Sequence, residues 1–379
     1  MASPVEPVRA HTAIVHDWFQ GYHGSERVVD ALRSGLFDDR NEPDIYTFAA
    51  ALQLLPPELG DRIVRQSRAA RLPGLRQTKH GSAGWRYLLP LIPLYFRRLS
   101  LEGYQLVISS SHSFAFHVRP PAGVPHVCYC HTPMYYAWRA RSEGDRVRGL
   151  PGHALHASRG ALQRLDRRAA RFPQHFVANS HAVKRRIESF YGREATVIHP
   201  PVDVDDFGGG TTRDAGSFLW IQRLVPHKRP ELVIEAFREL PYHLTMVGVG
   251  MLEEEIRRTL PPNVELLPWL SRQELVERYS RATAFIHVGE EDFGISMVEA
   301  LAAGTPVIAV RRGGALEIVR HGSDGILLPV ADVASLRGAV RTAADRDWDR
   351  DSMRQRARGF SRETFLRRFR DYLSTIGID

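Results

Sequence analysis

Two carboxylates, Glu291 and Glu299, stand eight residues apart in EEDFGISMVEALAAGTPVIA (290–309), on either side of Phe293-Gly294-Ile295. An apolar strand pattern precedes them and a helical one opens near Gly294. The free N–H groups of a helix start favour an anion or polar hydroxyls. Carboxylates beside them accept hydrogen bonds from sugar and ribose hydroxyls. Upstream, QRLVPHK places Arg223 at a strand end and Lys228 five residues later, just before a helix. Two cations at such a junction suit phosphate. MVGVG, with Gly248, permits close backbone approach. The ligand these residues fit carries both a phosphate and several hydroxyls, as a nucleotide sugar does.

The elements that must position these groups alternate strand and helix. HTAIVHDW (11–18), YQLVISSSH (104–112) and PHVCYCHT (125–132) read as strands ending in polar residues, and QHFVANSHAVKRRIESFYG (174–192) as strand, turn and helix. A proline-interrupted segment, ATVIHPPVDVDDF (195–207), and a loose GGGTTRDAGS loop (208–217) follow. The pattern then restarts: FLWIQRL, HLTMVGVG, VELLPWL, TAFIHV, PVIAVR and GILLPV are strands, with helices between the earlier ones. Such alternation predicts parallel α/β sheets covered on both faces, in two Rossmann-like domains. Ligands in these sheets sit beyond the carboxyl ends of the strands, here near Asp17, Gly24, His112, His131, Arg223, Gly248 and Glu291. His16, His199 and His287 read as wall residues, and DRDWDRD (345–351) as a solvated charged region.

The 379 residues carry a net charge of +8, unevenly spread. Residues 1–200 hold 27 Lys and Arg against 16 Asp and Glu; the remainder holds 24 against 27. The excess peaks in 62–98, where Trp85, Tyr87, Tyr95 and Phe96 lie among leucines and arginines. That composition suits either a solvated basic face or a surface that meets something anionic, an anionic membrane being one candidate; nucleic acid is not expected as a partner. No apolar run spans a bilayer, and MASPVEPVRA has no signal-peptide core. Cys128 and Cys130 point to one side of a strand, as expected of reduced cysteines. The expected place is the cytoplasm, peripheral to the inner membrane face.

HDWFQGYHGSERVV, SSSH, CYCHTPM, VANSHAVKRRI, HPPVDVDDF, QRLVPHK, VGVG and the Glu-x7-Glu segment resemble, in order, the retaining family-four glycosyltransferases of the GT-B fold. CYCHTPMYYAW is similar to the bacterial mannosyltransferases that build surface polysaccharides. The resemblance implies two domains facing across a cleft: 1–205 on the acceptor side, and 206–360 for the nucleotide sugar. A terminal helix in 361–379 would pack back on the first. It implies that Arg223 and Lys228 bind the donor diphosphate and that Glu299 holds the ribose. Glu291 would contact the transferred sugar, with the Phe293, Gly294 and Ile295 backbone beside it. Gly24 would belong to a phosphate turn, His112 would lie near the reacting sugar, and His131 and Tyr135 on the acceptor side. The base would lie near Trp269 and Leu270. His23 and Gln222 stand where the family has glycine, and HPPVD replaces Pro-Asn-Gly-Val-Asp.

The implied reaction moves a hexose, mannose from GDP-mannose, onto a lipid-linked or polysaccharide acceptor, with retention. Two fixed cations would stabilise the leaving diphosphate. No carboxylate stands out as a nucleophile, which favours front-face transfer. No metal and no cofactor is expected, the nucleotide sugar being a substrate. The competing readings are a sugar-nucleotide epimerase of the same fold and a non-catalytic basic protein; the paired glutamates and cations speak against both.

Overall fold

The computed structural model describes residues 7–38, 41–71, 88, 91–138, 150–208 and 213–378, without the side chains of 71, 135, 136 and 150–158. The chain forms two units, Met1–Pro201 with Phe365–Asp379, and Val202–Thr364.

The elements of the first unit are β1 (Thr12–Phe19), α1 (Gly24–Gly35), β2 (Asp44–Ala50), α2 (Pro57–Asp61), β3 (Ile63–Gln66), α3 (Ile92–Arg97), β4 (Leu106–Ser111), β5 (His126–Cys130), α4 (Tyr135–Trp138), α5 (Leu150–Ala169), β6 (His175–Ala178), α6 (His181–Tyr191) and β7 (Thr196–Val197). Those of the second are β8 (Ser217–Ile221), α7 (Pro230–Phe237), β9 (His243–Val247), α8 (Glu253–Thr259), β10 (Val264–Leu267), α9 (Arg272–Arg281), β11 (Ala284–His287), α10 (Ile295–Ala302), β12 (Val307–Val310), α11 (Ala315–Ile318), β13 (Gly325–Leu328), α12 (Val333–Asp345) and α13 (Arg350–Arg358). The last helix, α14 (Arg362–Thr375), begins in the second unit and belongs mostly to the first.

Every strand pairing is parallel. In the first unit the order is β3-β2-β1-β4-β5-β6-β7. Ile14 of β1 lies between Ile45 of β2 and Ile108 of β4. All eight residues of β1 are buried. Such two-faced burial is what a central parallel strand demands, and it explains why TAIVHDWF shows no alternation. In the second unit the order is β10-β9-β8-β11-β12-β13. Both sheets are therefore doubly wound. The order reverses between β1 and β4 in one, and between β8 and β11 in the other. Helices leave these neighbouring strands on opposite faces, so a crevice opens at their carboxyl ends.

Two charged stretches fold differently from their composition. The acids and Arg346 of DRDWDRD are exposed, as expected, yet Trp348 is buried, and Asp349 caps α13 by accepting the Ser352 N–H at 3.0 Å. Of the basic stretch 62–98, Arg76, Lys79, Trp85, Arg86 and Tyr87 lie outside the described residues. Phe96 is fully buried, and the Tyr95 hydroxyl donates to the Thr47 carbonyl at 2.8 Å. Those two aromatics serve the core rather than a surface. Leu91 and Leu94 of this stretch remain exposed, at 56% and 45%. Among the described residues no helix is long and apolar enough to cross a membrane.

The terminal helix α14 completes the first core. Phe365, Phe369 and Leu373 are buried with Ile14, Leu32 and Tyr129. Phe369 lies 6.3 Å, ring to ring, from Tyr129 and 5.7 Å from Phe365. Phe369→Ala should therefore destabilise the first unit by about 3–5 kcal/mol. Urea unfolding should show its transition at lower urea, with that of the second unit unmoved; an unchanged profile would mean that α14 contributes nothing to this core.

Candidate active site

In the second unit, β8 ends at Ile221, and the chain turns through Gln222 and Arg223 into a short 3-10 turn, Pro226–Lys228. Arg223 is exposed; Lys228 is buried. Between this turn and α7 stands Arg229, with φ +57°, the one non-glycine residue with positive φ among those described. Left-handed backbone at such a residue costs roughly 1–2 kcal/mol and is retained only where the surroundings demand it. Here the demand is to reverse the chain so that Lys228 faces β11.

The Lys228 ammonium forms an ion pair with Oε1 of Glu291. His287, the last residue of β11, places its Nε2 3.9 Å from the same oxygen. Burial first, then the Lys228 charge, push the His287 pKa down to about 3, so it is neutral. The loop carrying Glu291 is pinned by α11, whose preceding Gly314 N–H donates to the Glu291 carbonyl at 3.0 Å. The Phe293 side chain turns inward against Phe360, 5.6 Å between rings. That anchors the loop and leaves backbone, not the phenyl ring, to meet a ligand. Gly294 caps α10 with φ +103°, a conformation glycine adopts without strain.

Glu299 lies in the second turn of α10 and has different partners. Its Oε1 accepts from Arg272 Nη1 at 2.8 Å, and its Oε2 from the Tyr279 hydroxyl at 3.3 Å. Arg272 also donates from Nε to Asp206 at 3.0 Å and lies 4.4 Å over the Phe207 ring. The carboxylate is thus held before any ligand arrives. Gly248, with φ +150°, runs so close to β8 that a Cβ there would meet the Gln222 carbonyl at 1.9 Å and the Trp269 ring at 3.6 Å. Arg223, Gly248 and Trp269 therefore share the strand ends, and Trp269 is 48% exposed. Leu270 is partly buried against the core.

In the first unit, three imidazoles gather at the β1–β4 reversal. His112 lies 5.9 Å from His16 and 6.4 Å from His131, ring to ring, with Trp18 edge-on at 4.8 Å. His16 Nδ1 donates to the Ser110 carbonyl at 3.0 Å, which fixes its tautomer. The Ser110 hydroxyl lies 2.8 Å from His131 Nε2 and 3.1 Å from His16 Nδ1. Burial, reinforced by His112, pushes both His16 and His131 down to about 3.

Tyr135 begins α4, but its side chain lies outside the described residues. Gly24 opens α1. That turn already holds a carboxylate: Glu26 accepts the His23 N–H at 3.1 Å and the Ser25 hydroxyl at 3.0 Å. The His23 imidazole lies against Gly21. His16 and His287 are buried, as expected, and adjoin His112 and Glu291. Asp17 was placed at a strand end from sequence, without a role; Arg272, Tyr279 and the Gly313-Gly314 pair were not singled out as site residues. The tandem glycine after β12 was the legible signal; the others depend on partners far away in the chain.

Four histidines of the structure, His16, His126 of β5, His131 and His287, have pKa values lowered to about 3, desolvation being the largest cause. Their unfolded values lie near 6.5, so between these limits the unfolded chain binds more protons. Stability must then fall as pH falls from about 6.5. Each such imidazole should remove about 2 kcal/mol between pH 7 and pH 5. Urea midpoints at pH 7, 6 and 5 should fall steeply; a flat profile would mean that these rings protonate in place.

The sequence matches two family models: Glycosyltransferase Family 4 over residues 22–206 and Glycosyl transferases group 1 over residues 206–360. The D-inositol 3-phosphate glycosyltransferase of Geodermatophilus obscurus is 30% identical over 211 residues, 45% of each chain. That of a Nocardioides species is 27% identical over 293 residues, 66% of this chain and 62% of its own. The chain spans about half the length of the curated relatives it matches. Among solved structures, Anabaena HepE in complex with UDP and glucose superposes with a TM-score of 0.66 at 19% identity, over 97% of this chain and all of its own. Sucrose-phosphate synthase from Thermosynechococcus elongatus gives 0.70 at 16%, over 97% and 99%. Two doubly wound units, matched in order by both models, place the chain in the family-four glycosyltransferases of the GT-B fold.

Proposed function

We propose that this glycosyltransferase moves a hexose, mannose from GDP-mannose, onto a lipid-linked or polysaccharide acceptor, with retention and without a metal ion. The observation that carries the reading is the Lys228–Glu291 ion pair at the β8–β11 reversal. It puts a buried ammonium and a hydroxyl-accepting carboxylate where a phosphate and a sugar must meet. The inositol phosphate glycosyltransferases named above and the UDP-bound neighbour support the coarse class. The mannosyl donor rests on CYCHTPMYYAW and its resemblance. Leu91 and Leu94, exposed beside Arg98, support contact with an anionic membrane surface, on the inner face in the cytoplasm.

In this reading, the bond from the sugar's anomeric carbon to the diphosphate breaks as the acceptor oxygen bonds on the same face. The acceptor proton passes to the departing diphosphate. Arg223 and Lys228 stabilise the charge that develops there. As Lys228 turns to the diphosphate, Glu291 is released to accept hydroxyls of the sugar. A double displacement would need a free carboxylate at that face. Asp17, next to His112, is fully buried, with its oxygens taken by backbone N–H groups. It is no nucleophile.

A panel of GDP-mannose, UDP-glucose and UDP-N-acetylglucosamine, with and without EDTA, tests the class. The expected result is slow nucleotide release from GDP-mannose, unaffected by EDTA; an epimerised sugar nucleotide, or no binding at all, would overturn it. The two glutamates have separable roles. Glu299, held by Arg272 and Tyr279, grips the unchanging ribose, so Glu299→Gln should raise the donor KM and spare kcat. Glu291→Gln should lower kcat. Each effect should be roughly 10- to 150-fold, the worth of a hydrogen bond to a charged group. Steady-state kinetics against varied donor decide, and a change in KM alone for both variants would mean that the roles are misassigned.

A further inference from the structure

We propose that Asp17 is the positioning residue for His112. Its carboxylate lays out residues 111–115 and turns the imidazole so that Nδ1–H faces Asp17 and Nε2 is presented to substrate. The assignment rests on the proposed transferase reading and on the family resemblance, which implies that His112 lies near the reacting sugar.

Asp17 sits near the end of β1, fully buried. Its Oδ2 accepts the backbone N–H of His112 at 2.7 Å and of Ser113 at 2.9 Å. Its Oδ1 accepts those of Phe114 at 2.5 Å and Ala115 at 2.7 Å. The Ser111 hydroxyl adds a bond to Oδ2 at 3.2 Å. One side chain on β1 thus dictates the whole exit from β4, the strand across the reversal. The same Oδ2 lies 3.4 Å from His112 Nδ1, a buried atom that makes no hydrogen bond among the described residues, so the carboxylate is the acceptor standing nearest its reach.

Capping a loop does not by itself call for a full charge. Asparagine or serine also accepts from backbone N–H groups, and a buried carboxylate is far harder to desolvate. The charge gains a purpose from the ring beside it, because a carboxylate at Nδ1 selects the tautomer with hydrogen there. Trp18, the next residue on β1, meets the ring edge-on at 4.8 Å and limits its rotation. Of the three gathered imidazoles, His16 is fully buried, whereas the His112 side chain is 25% exposed. Asp17 and Trp18 together aim one ring outward while its Nδ1 stays in contact with the core.

The first test needs no substitution. In protein labelled with 15N-histidine, long-range proton–nitrogen correlation of neutral His112 should show hydrogen on Nδ1; hydrogen on Nε2 overturns the proposal. The second test is a double-mutant cycle on nucleotide release from GDP-mannose, with UDP-glucose run in parallel. Asp17→Asn should lower kcat about 100-fold, the scale of an ångström of misplacement, and leave KM within about twofold. In a His112→Gln background the same substitution should cost less than about threefold, because its target is gone. Equal losses in both backgrounds would make Asp17 a structural residue only. Wild-type turnover by His112→Gln would remove His112 from the reaction and the proposal with it. Slow His112→Gln with hydrogen on Nε2 would refute Asp17 alone. If Asp17→Asn does not fold, the tautomer decides.

Discussion

The reversal of strand order between β8 and β11, and again between β1 and β4, is the constraint on which the rest depends. In a parallel sheet every strand leaves at the same edge, and its connection must cross one face or the other. Where two adjacent strands send their chains to opposite faces, no helix can cover the gap. The sheet therefore has an uncovered place at that edge, where polar side chains gather at the strand ends. Lys228, His287 and Glu291 use that place in the second unit; His16, Asp17, His112 and His131 use it in the first.

Each place carries a charge that packing alone would reject. The Lys228 ammonium sits under the surface and is tolerable because Glu291 pairs with it. Breaking such a pair by removing one partner is far more damaging than never having had it. On the proposed reading, an incoming diphosphate would replace that anion, and Glu291 would leave without stranding the lysine. The left-handed turn at Arg229 belongs to the same arrangement, since it brings the ammonium to the edge and not along the face of α7. Asp17 is the opposite case: its charge is spread over backbone N–H groups and fixes a loop permanently.

Much of this architecture was legible because local signals agreed. TAFIHV, the helix after Gly294 and PVIAVR carry a βαβ unit in their apolar runs and turn residues, and all three elements form there. Ser271 and Glu274 form the capping box that SRQE announces. β2 and β3 were hidden: DIYTFAA and IVRQ carry charges or small residues, and IVRQ falls inside a stretch that reads as basic surface. α12 and α13 were likewise missed, their charged faces masking Leu336, Val340 and Met353, which are buried. The glutamates and cations were visible as residue types. Their partners were not: the Asp17 bonds span 94 to 98 residues of sequence and the Arg272–Glu299 pair spans 27. Spacing along the chain says nothing about a contact set by strand order.

The eight-residue interval between the glutamates has a geometric cause. Glu291 precedes the αL turn at Gly294, in a loop still aligned with the β11 exit, and so reaches across to the turn after β8. Glu299 lies five positions beyond Gly294, in the second helical turn, on a helix otherwise buried through Met297, Val298, Ala300 and Leu301. Its side chain points to α9, where Arg272 and Tyr279 wait one above the other on a single helix face, seven residues apart. A shorter interval would place the second carboxylate in the loop, competing for Lys228. A shift by one or two residues would rotate it about 100–200° around α10, away from α9. The spacing thus gives each carboxylate its own cation, Lys228 for Glu291 and Arg272 for Glu299.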